Sequence, residues 1–414
     1  MRAVRFIALA VALLALPLLP GFNNDFARSM LSQMGIAAIF ALSFNMLLGQ
    51  TGLLSFGHAV YFGLGGYIAI HVMRLINQGL PVPMPLVPAF GALGGLAFGI
   101  LFGSVTTKRA GTVFAMITLG LGELVVAASL MLTRFFGGEE GITANRTRGP
   151  HPFGLTFGSQ LEVYYVIAAW VFISVASMYA FTRTPLGRMC NAVRDNSERV
   201  EFVGYNPQRV RFITFTISAM FAGIAGGLHA INYEIVSAEA LGAARSGAVL
   251  LMAFIGGIGS FAGPVLGAIV ITWLQVSLSD WSAAWQLYLG LFFVIMVLFA
   301  PGGLTSLIQI HAPLLRARRL HRLLPSYLIT AVPALVMTAG AVFLLEINYR
   351  LATRPELGTR TTFFSIPVDM ATPWPWLTGL GLVAGGFYGL RWSWSLVADA
   401  WNAVGEQGPA AERR

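Results

Sequence analysis

The stretch Thr184–Asn206, TPLGRMCNAVRDNSERVEFVGYN, with Arg183 before it and Pro207 to Arg211 after it, is the most charged long passage in the first 300 residues. Arg183, Arg188, Arg194, Arg199, Arg209 and Arg211 stand there against Asp195, Glu198 and Glu201. Apolar runs long enough to span a bilayer flank it on both sides. A short, strongly basic loop between two spans belongs on the cytoplasmic face. Wound as a helix at 100° per residue, the stretch is two-faced: Met189, Val193, Val200 and Val203 share about a third of the turn. Arg188, Arg194, Asp195, Glu198, Arg199 and Glu201 lie on the other side, with Phe202 among them. Such a helix is either a solvated surface helix under the membrane or a docking helix with Phe202 as an apolar knob, and Gly204 is its expected end.

Composition agrees with the membrane reading. Of 414 residues, 56% are hydrophobic and 10% charged, with a mean hydropathy of +0.73, which fits an integral membrane protein and not a soluble domain. The net charge of +9 comes from basic residues clustered in short loops beside apolar runs, so it expresses membrane orientation, not nucleic-acid binding. Cys190 is the only cysteine, so neither an internal disulfide nor a cysteine-built metal site is available. Lys108 is the only lysine and follows Thr107. A Gly-x-x-x-x-Gly-Lys phosphate loop therefore cannot be built, and the chain cannot itself be the nucleotide-binding subunit of a P-loop pump.

Working outward, Arg2 and Arg5 precede the apolar run Phe6 to Leu19, read as the first span with its N-terminus inside. A secretory signal is the rival, but no small-x-small cleavage site follows Pro17 to Gly21. No Lys, Arg, Asp or Glu occurs between Arg28 and Arg74. As a straight helix that stretch would run about 65 Å, roughly twice a hydrocarbon core, so it must cross twice or fold back. The break is expected in GQTGLLSFGHAVYFGLGGY, Gly49 to Tyr67, which holds Gly52, Ser55 and His58.

Leu86 to Val105 is a span with Gly91, Gly95, Gly99 and Gly103 on one stripe, the spacing that lets a second helix approach closely. Gly111 to Leu132 carries TVFAMITLGLGE, Thr112 to Glu123, and leads to a polar external loop, Phe135 to Gln160, with FGGEEGIT. Tyr164 to Phe181 and Phe212 to Ile231 flank the basic loop, the second with Ala219, Gly223 and Gly227 at four-residue intervals. Gly247 to Ser279 has no charge over about 50 Å of helix, interrupted by GGIGSFAGPVLGA, Gly256 to Ala268. A double crossing there keeps Arg316, Arg318, Arg319 and Arg322 inside, as the positive-inside rule asks. Trp285 to Phe299 is the tenth span and PGGL, Pro301 to Leu304, follows. Pro325 to Leu345 reads as an eleventh, Ile347 to Thr372 as external, and Trp376 to about Val397 as a weak twelfth. The expected fold is thus an all-α, polytopic transmembrane helical bundle of about ten core spans plus about two C-terminal ones, with glycine-broken helices.

No catalytic pattern emerges. His58, His71, His151, His229, His311 and His321 show no metal spacing with carboxylates, and no serine occupies a Gly-x-Ser-x-Gly turn. His58, inside a membrane segment, is either functional or a neutral hydrogen-bonded group in a broken helix. Glu123 near mid-membrane would cost about 2.5 to 3.5 kcal/mol on insertion scales, so it snorkels, pairs or serves the substrate. Broken helices expose backbone N–H and C=O groups, which are tolerated only where they line a cavity or are buried in protein. They suit a zwitterionic solute; tight glycine packing with a continuous backbone is the alternative.

Several motifs resemble one family. Pro185, Gly187, Arg188, Ala192, Arg194, Asp195, Asn196, Glu198 and Gly204 match the cytoplasmic coupling loop of ABC importer permeases of the branched-chain amino acid family, the LivM-like branch. Further resemblance lies at Gly111, Phe114, Ala115, Ile117, Thr118, Leu119 and Glu123, in FGGEEGIT, and at Gly256, Gly257, Gly259, Gly263, Pro264 and Gly267. It covers roughly residues 30 to 310. The alanines that often follow the loop glutamate are here Arg199, Val200, Glu201 and Phe202.

The resemblance implies a bacterial inner-membrane permease domain over residues 1–310, with residues 311–414 as a C-terminal extension. It implies an importer of branched-chain amino acids, urea, amides or similar small solutes; a self-sufficient secondary transporter or channel is the rival. Its partners would be a second homologous permease, two ABC ATPase subunits, a periplasmic substrate-binding protein and membrane lipid, with ATP used by the partner subunits and no cofactor bound by this chain. The ATPase-coupling loop would be Arg188, Arg194, Asp195, Asn196, Glu198, Phe202 and Gly204. The substrate path would run past Gly52, Ser55, His58, Phe114, Thr118, Glu123, Gly257 and Gly259.

Overall fold

Every apolar run read as a span winds into helix, because its backbone polar groups can be satisfied in lipid only internally. The structure, a computed structural model, describes residues 2–150, 154–353, 359–363 and 366–406; His151 lies outside them. The helices are α1 (Arg2–Ala15), α2 (Asp25–Thr51), α3 (Ala59–Asn77), α4 (Val87–Thr106), α5 (Gly111–Met131), the short α6 (Thr133–Phe136), α7 (Gln160–Arg183), α8 (Pro185–Asp195), α9 (Ser197–Phe202) and α10 (Pro207–Tyr233). They continue as α11 (Ala243–Gly256), α12 (Gly263–Trp281), α13 (Trp285–Phe299), α14 (Gly303–Arg316), α15 (Leu324–Thr353) and α16 (Pro373–Glu406). Among the described residues, eight helices are long and apolar enough to cross a membrane, or nine if α13 and α14, bent by 50°, count as one. The apolar stretches Phe6–Leu18 and Ala243–Gly256 are shorter.

The chain divides into two compact units, Met1–Ser277 with Leu289–Ser306, and Leu278–Tyr288 with Leu307–Arg414. The core of the first is built by backbone contact. A Cβ added to Gly91 would lie 2.5 Å from the Gly223 carbonyl oxygen, and one on Gly95 would overlap that of Ala219. The Gly91–Gly103 stripe of α4 therefore packs inside the bundle, on the Ala219–Gly227 stripe of α10. From α3, Gly65 meets Gly223 and Phe62 meets Gly226 in the same way.

The uncharged run Gly247 to Ser279 forms a helical hairpin, α11–α12, as charge parity asks. Its faces meet through Gly256, Gly263 and Gly267, where no Cβ fits. At its turn, Gly257 adopts φ +107°, Thr305 donates to the Gly256 carbonyl at 2.9 Å, and Gly302 and Gly303 close over Gly257.

At the opposite end of the unit, FGGEEGIT pairs with the exit of α10. Strands β1 (Ile142–Thr143) and β2 (Ile235–Val236) run antiparallel, Ile142 opposite Val236. Arg146 caps the α10 C-terminus, donating to the carbonyls of Ile231 and Asn232 and, from Nε, to Phe157.

In the second unit α15 and α16 pack antiparallel, with Gly340 against Leu382 and Gly386 against Met337. Between them β3 (Arg360–Phe363) and β4 (Ile366–Asp369) form a hairpin inside the stretch expected to be polar loop. Glu346 of α15 accepts from Tyr288 at 2.6 Å and from Ser282.

Candidate functional site

The basic loop folds as two helices, not the single one its periodicity suggests. Thr184 caps α8, accepting from the Gly187 amide at 3.1 Å, with Pro185 at the first helical position. Gly187 turns the corner from α7, where any Cβ would overlap the Phe181 carbonyl oxygen. Asn196 then breaks the run: its backbone is extended, and its side chain accepts from the Arg199 amide at 3.0 Å, restarting the chain as α9. A capping side chain that competes for backbone amides wins here over continuous helix.

Cys190 and Val193 of α8, Val200 of α9 and Val210 of α10 form one buried cluster, with Met189 packed against it. Burial pushes the Cys190 thiol up, so it packs as a neutral group, 3.0 Å from the Thr214 hydroxyl. Past α9, Gly204 at φ +87° and the Tyr205 amide bonded to the Val200 carbonyl close a left-handed C-terminal cap. That reversal leaves Val203 72% exposed, off the apolar face where periodicity puts it. Phe202 is 89% exposed, beside Val203 and Tyr205, so the solvent side of α9 ends in a bare apolar knob. Arg188 and Glu198 are exposed as well.

Arg194 joins this loop to the first glycine break. It donates from Nη1 to the Gly49 carbonyl at 2.5 Å and pairs with Asp195 at 3.0 Å. Gly52, at φ +69°, ends α2, and a Cβ there would stand 3.0 Å from the Arg194 side chain. A cation on the last turn of α2 complements the free carbonyls of a helix C-terminus. Around this contact is a cavity of about 460 Å³ lined by Thr51, Gly52, Arg194, Asn196, Glu198 and Arg211. Residues expected to serve coupling and residues expected to line the path thus meet at one place.

From Gly52 the chain climbs non-helically into the bundle until α3 starts at Ala59. Its freed amides find side chains: Phe56 donates to Thr118 of α5 at 3.2 Å and Ala59 to Ser246 of α11 at 3.0 Å. Gly57 packs on the Thr118 carbonyl, with no room for a Cβ. His58 is fully buried between Phe40 and Phe44, with Nε2 3.0 Å from the Ser43 hydroxyl. Ser43 gives its own hydrogen to the Phe40 carbonyl at 2.7 Å, which leaves its oxygen to accept from His58 Nε2, and His58 Nδ1 has no partner among the described residues. Ser55 Oγ, buried beside it in the chain, is also without a partner.

The other path candidates scatter. Phe114 is buried edge-on against Phe215. Glu123 is exposed on the outer face of α5, Gly257 is enclosed by the PGGL turn, and Gly259 is open. Arg245, on the first turn of α11, belongs to no motif legible in the sequence, although it is the single Arg or Lys between Arg211 and Arg316. Its guanidinium lies 4.6 Å from the centre of the Phe62 ring and 3.3 Å from His229 Nδ1.

Comparison with known proteins gives a consistent result. The family described as branched-chain amino acid transport system / permease component matches residues 26–300. The high-affinity branched-chain amino acid transport system permease protein LivM of Salmonella typhimurium is 30% identical over 290 residues, 65% of this chain and 67% of that protein. A probable LivM of Methanocaldococcus jannaschii is 24% identical over 334 residues, 68% of this chain and 93% of its own length. BraD of Pseudomonas aeruginosa, another such permease, is 25% identical over 56% of this chain and 79% of its own. No solved structure matches.

Proposed function

The chain belongs to the family of branched-chain amino acid transport permeases, and from that premise we propose that it is the membrane subunit of an ATP-driven importer of branched-chain amino acids. It resides in the bacterial inner membrane, with the N-terminus and the α8–α9 face in the cytoplasm. A second, homologous permease completes the membrane part and covers the exposed face of α5 that carries Glu123. Two ABC ATPase subunits use the ATP, and a periplasmic protein delivers the solute.

In this reading the ATPase grips the knob of Phe202, Val203 and Tyr205 and the charged rim of Arg188 and Glu198. The observation that carries the mechanism is the bond from Arg194 to Gly49. A push on α9 passes through the buried Val193–Val200 cluster to α8, and through Arg194 to the last turn of α2. Beyond it lies the non-helical Gly52–His58 segment, which reaches α5 through Thr118 and α11 through Ser246. One displacement at the loop therefore reaches three helices, α2, α5 and α11, around the proposed path.

Purification of tagged protein from native membranes in mild detergent tests the assembly: two P-loop ATPases and a second permease are expected to come with it. Recovery as a homo-oligomer without an ATPase would overturn the reading in favour of a self-sufficient transporter. Glu198→Arg, on the exposed first turn of α9, is expected to insert normally but to abolish ATP-dependent leucine uptake; unchanged uptake would remove the loop from the mechanism. Ligand screening of the associated binding protein separates branched-chain amino acids from urea and amides.

A further inference from the structure

Between α10 and α11 the chain folds back into the bundle without regular helix, through β2 and a short 3-10 turn, Ala238–Leu241. Leu241 and the Ala240 carbonyl pack against Gly63 of α3. The α11 helix therefore begins part-way into the unit, its first turn beside α3 and one turn inside the end of α10. Gly242 stands at its N-cap and no side chain caps it. Ala243 and Ala244, its first two residues, are exposed. An uncapped helix start presents free amides and a partial positive charge, where an acidic side chain is the usual neighbour.

Here the neighbour is a cation. Arg245 is only partly exposed, and no carboxylate lies within ion-pair distance of it among the described residues. Glu239, in the 3-10 turn that precedes the helix, is exposed and makes no ion pair with it. The guanidinium is held in place by the Phe62 ring and by His229 Nδ1, which accepts one N–H. His229 itself packs on Phe62 and Tyr233, with ring centres 5.3 and 4.5 Å away. Among the described residues, the bond to His229 is the one hydrogen bond its guanidinium makes. A positioned guanidinium beside uncapped amides has the geometry for a carboxylate, and a cation retained inside a membrane bundle is costly unless it serves one.

We propose that Arg245, with the first amides of α11, is a specificity-determining subsite that takes the carboxylate of the incoming solute. The inference rests on the importer reading and sharpens it: the cargo must carry a carboxylate, which urea and simple amides lack. It also assigns the recognition of charge to the α10–α11 re-entrant segment and not to His58, which is fully enclosed.

The test uses the complete transporter in cells, with uptake of radiolabelled leucine and radiolabelled urea as probes. Arg245→Met keeps the length and the apolar contact with Phe62 but removes the charge. It is expected to lower leucine uptake at subsaturating concentration roughly ten- to hundredfold, the loss expected for a charge-assisted hydrogen bond. Membrane level and co-purification of the ATPase should be unchanged, and Arg245→Lys should restore part of the uptake. If leucine uptake in Arg245→Met equals that of the wild type, or if the wild type imports urea and not leucine, the subsite is overturned. Absence of any ATP-dependent uptake and of any bound ATPase in the wild type would instead overturn the importer reading.

Discussion

Arg194 illustrates how one side chain acquires two tasks from its position. Its spacing in the loop marks it as part of an exposed charged face, and its side chain is indeed 40% exposed. Yet the fork reaches back 145 residues in sequence to a carbonyl at the end of α2. The exposed ion pair with Asp195 contributes little, because solvent screens it. The bond to Gly49 counts for more, since it satisfies a helix-end carbonyl with a charged donor. Arg194→Met should therefore loosen the α8–α9 loop by about 1 kcal/mol. That corresponds to a roughly fivefold rise in the rate at which chymotrypsin cuts at Phe202 or Tyr205 in mild detergent. A cleavage rate like that of the wild type would mean the contact does not hold the loop.

At the scale of elements, the legible features were those that follow from charge and length. Two uncharged stretches were too long for one crossing, and both fold as helix pairs with a glycine-containing break. The glycine stripes on α4 and α10 announced their own contact. Three features were not legible. Helical periodicity ran smoothly across Asn196, because a pattern of apolar spacing carries no information about capping, which depends on where one side chain finds one amide. Val203 was misplaced for a related reason, since the left-handed turn at Gly204 withdraws the chain from the helix before its periodicity has ended. The pairing of Arg245 with Phe62 and His229 could not be read because it needs the re-entrant segment folded first. The Asn196 cap has a measurable consequence: Asn196→Ala should speed hydrogen exchange in residues 197–206 by an amount corresponding to about 1 kcal/mol, whereas Asn196→Asp should leave it nearly unchanged. Equal exchange in the two variants would show that α9 is held by its cluster alone.

For the whole molecule, the loop face and the β1–β2 face lie at opposite ends of the first unit, so a single sidedness measurement orients it. The native cysteine helps, because Cys190 is fully buried and its thiol neutral. Phe202→Cys should react with a membrane-impermeant maleimide in inside-out vesicles and not in right-side-out ones, while the unmodified protein stays unlabelled in both. Labelling in right-side-out vesicles would invert the proposed orientation. The packing of α4 on α10 bears on what can move. Where side chains separate two helices, rotamer changes let them slide; here backbone lies on backbone, with Gly91 and Gly95 against Gly223 and Ala219, and there is nothing between them to rearrange. The pair is a stiff beam. Compliance is left to joints outside the α-helices such as Gly52–His58 and Ser237–Gly242, and a stroke arriving at the end of α2 must be spent in bending them.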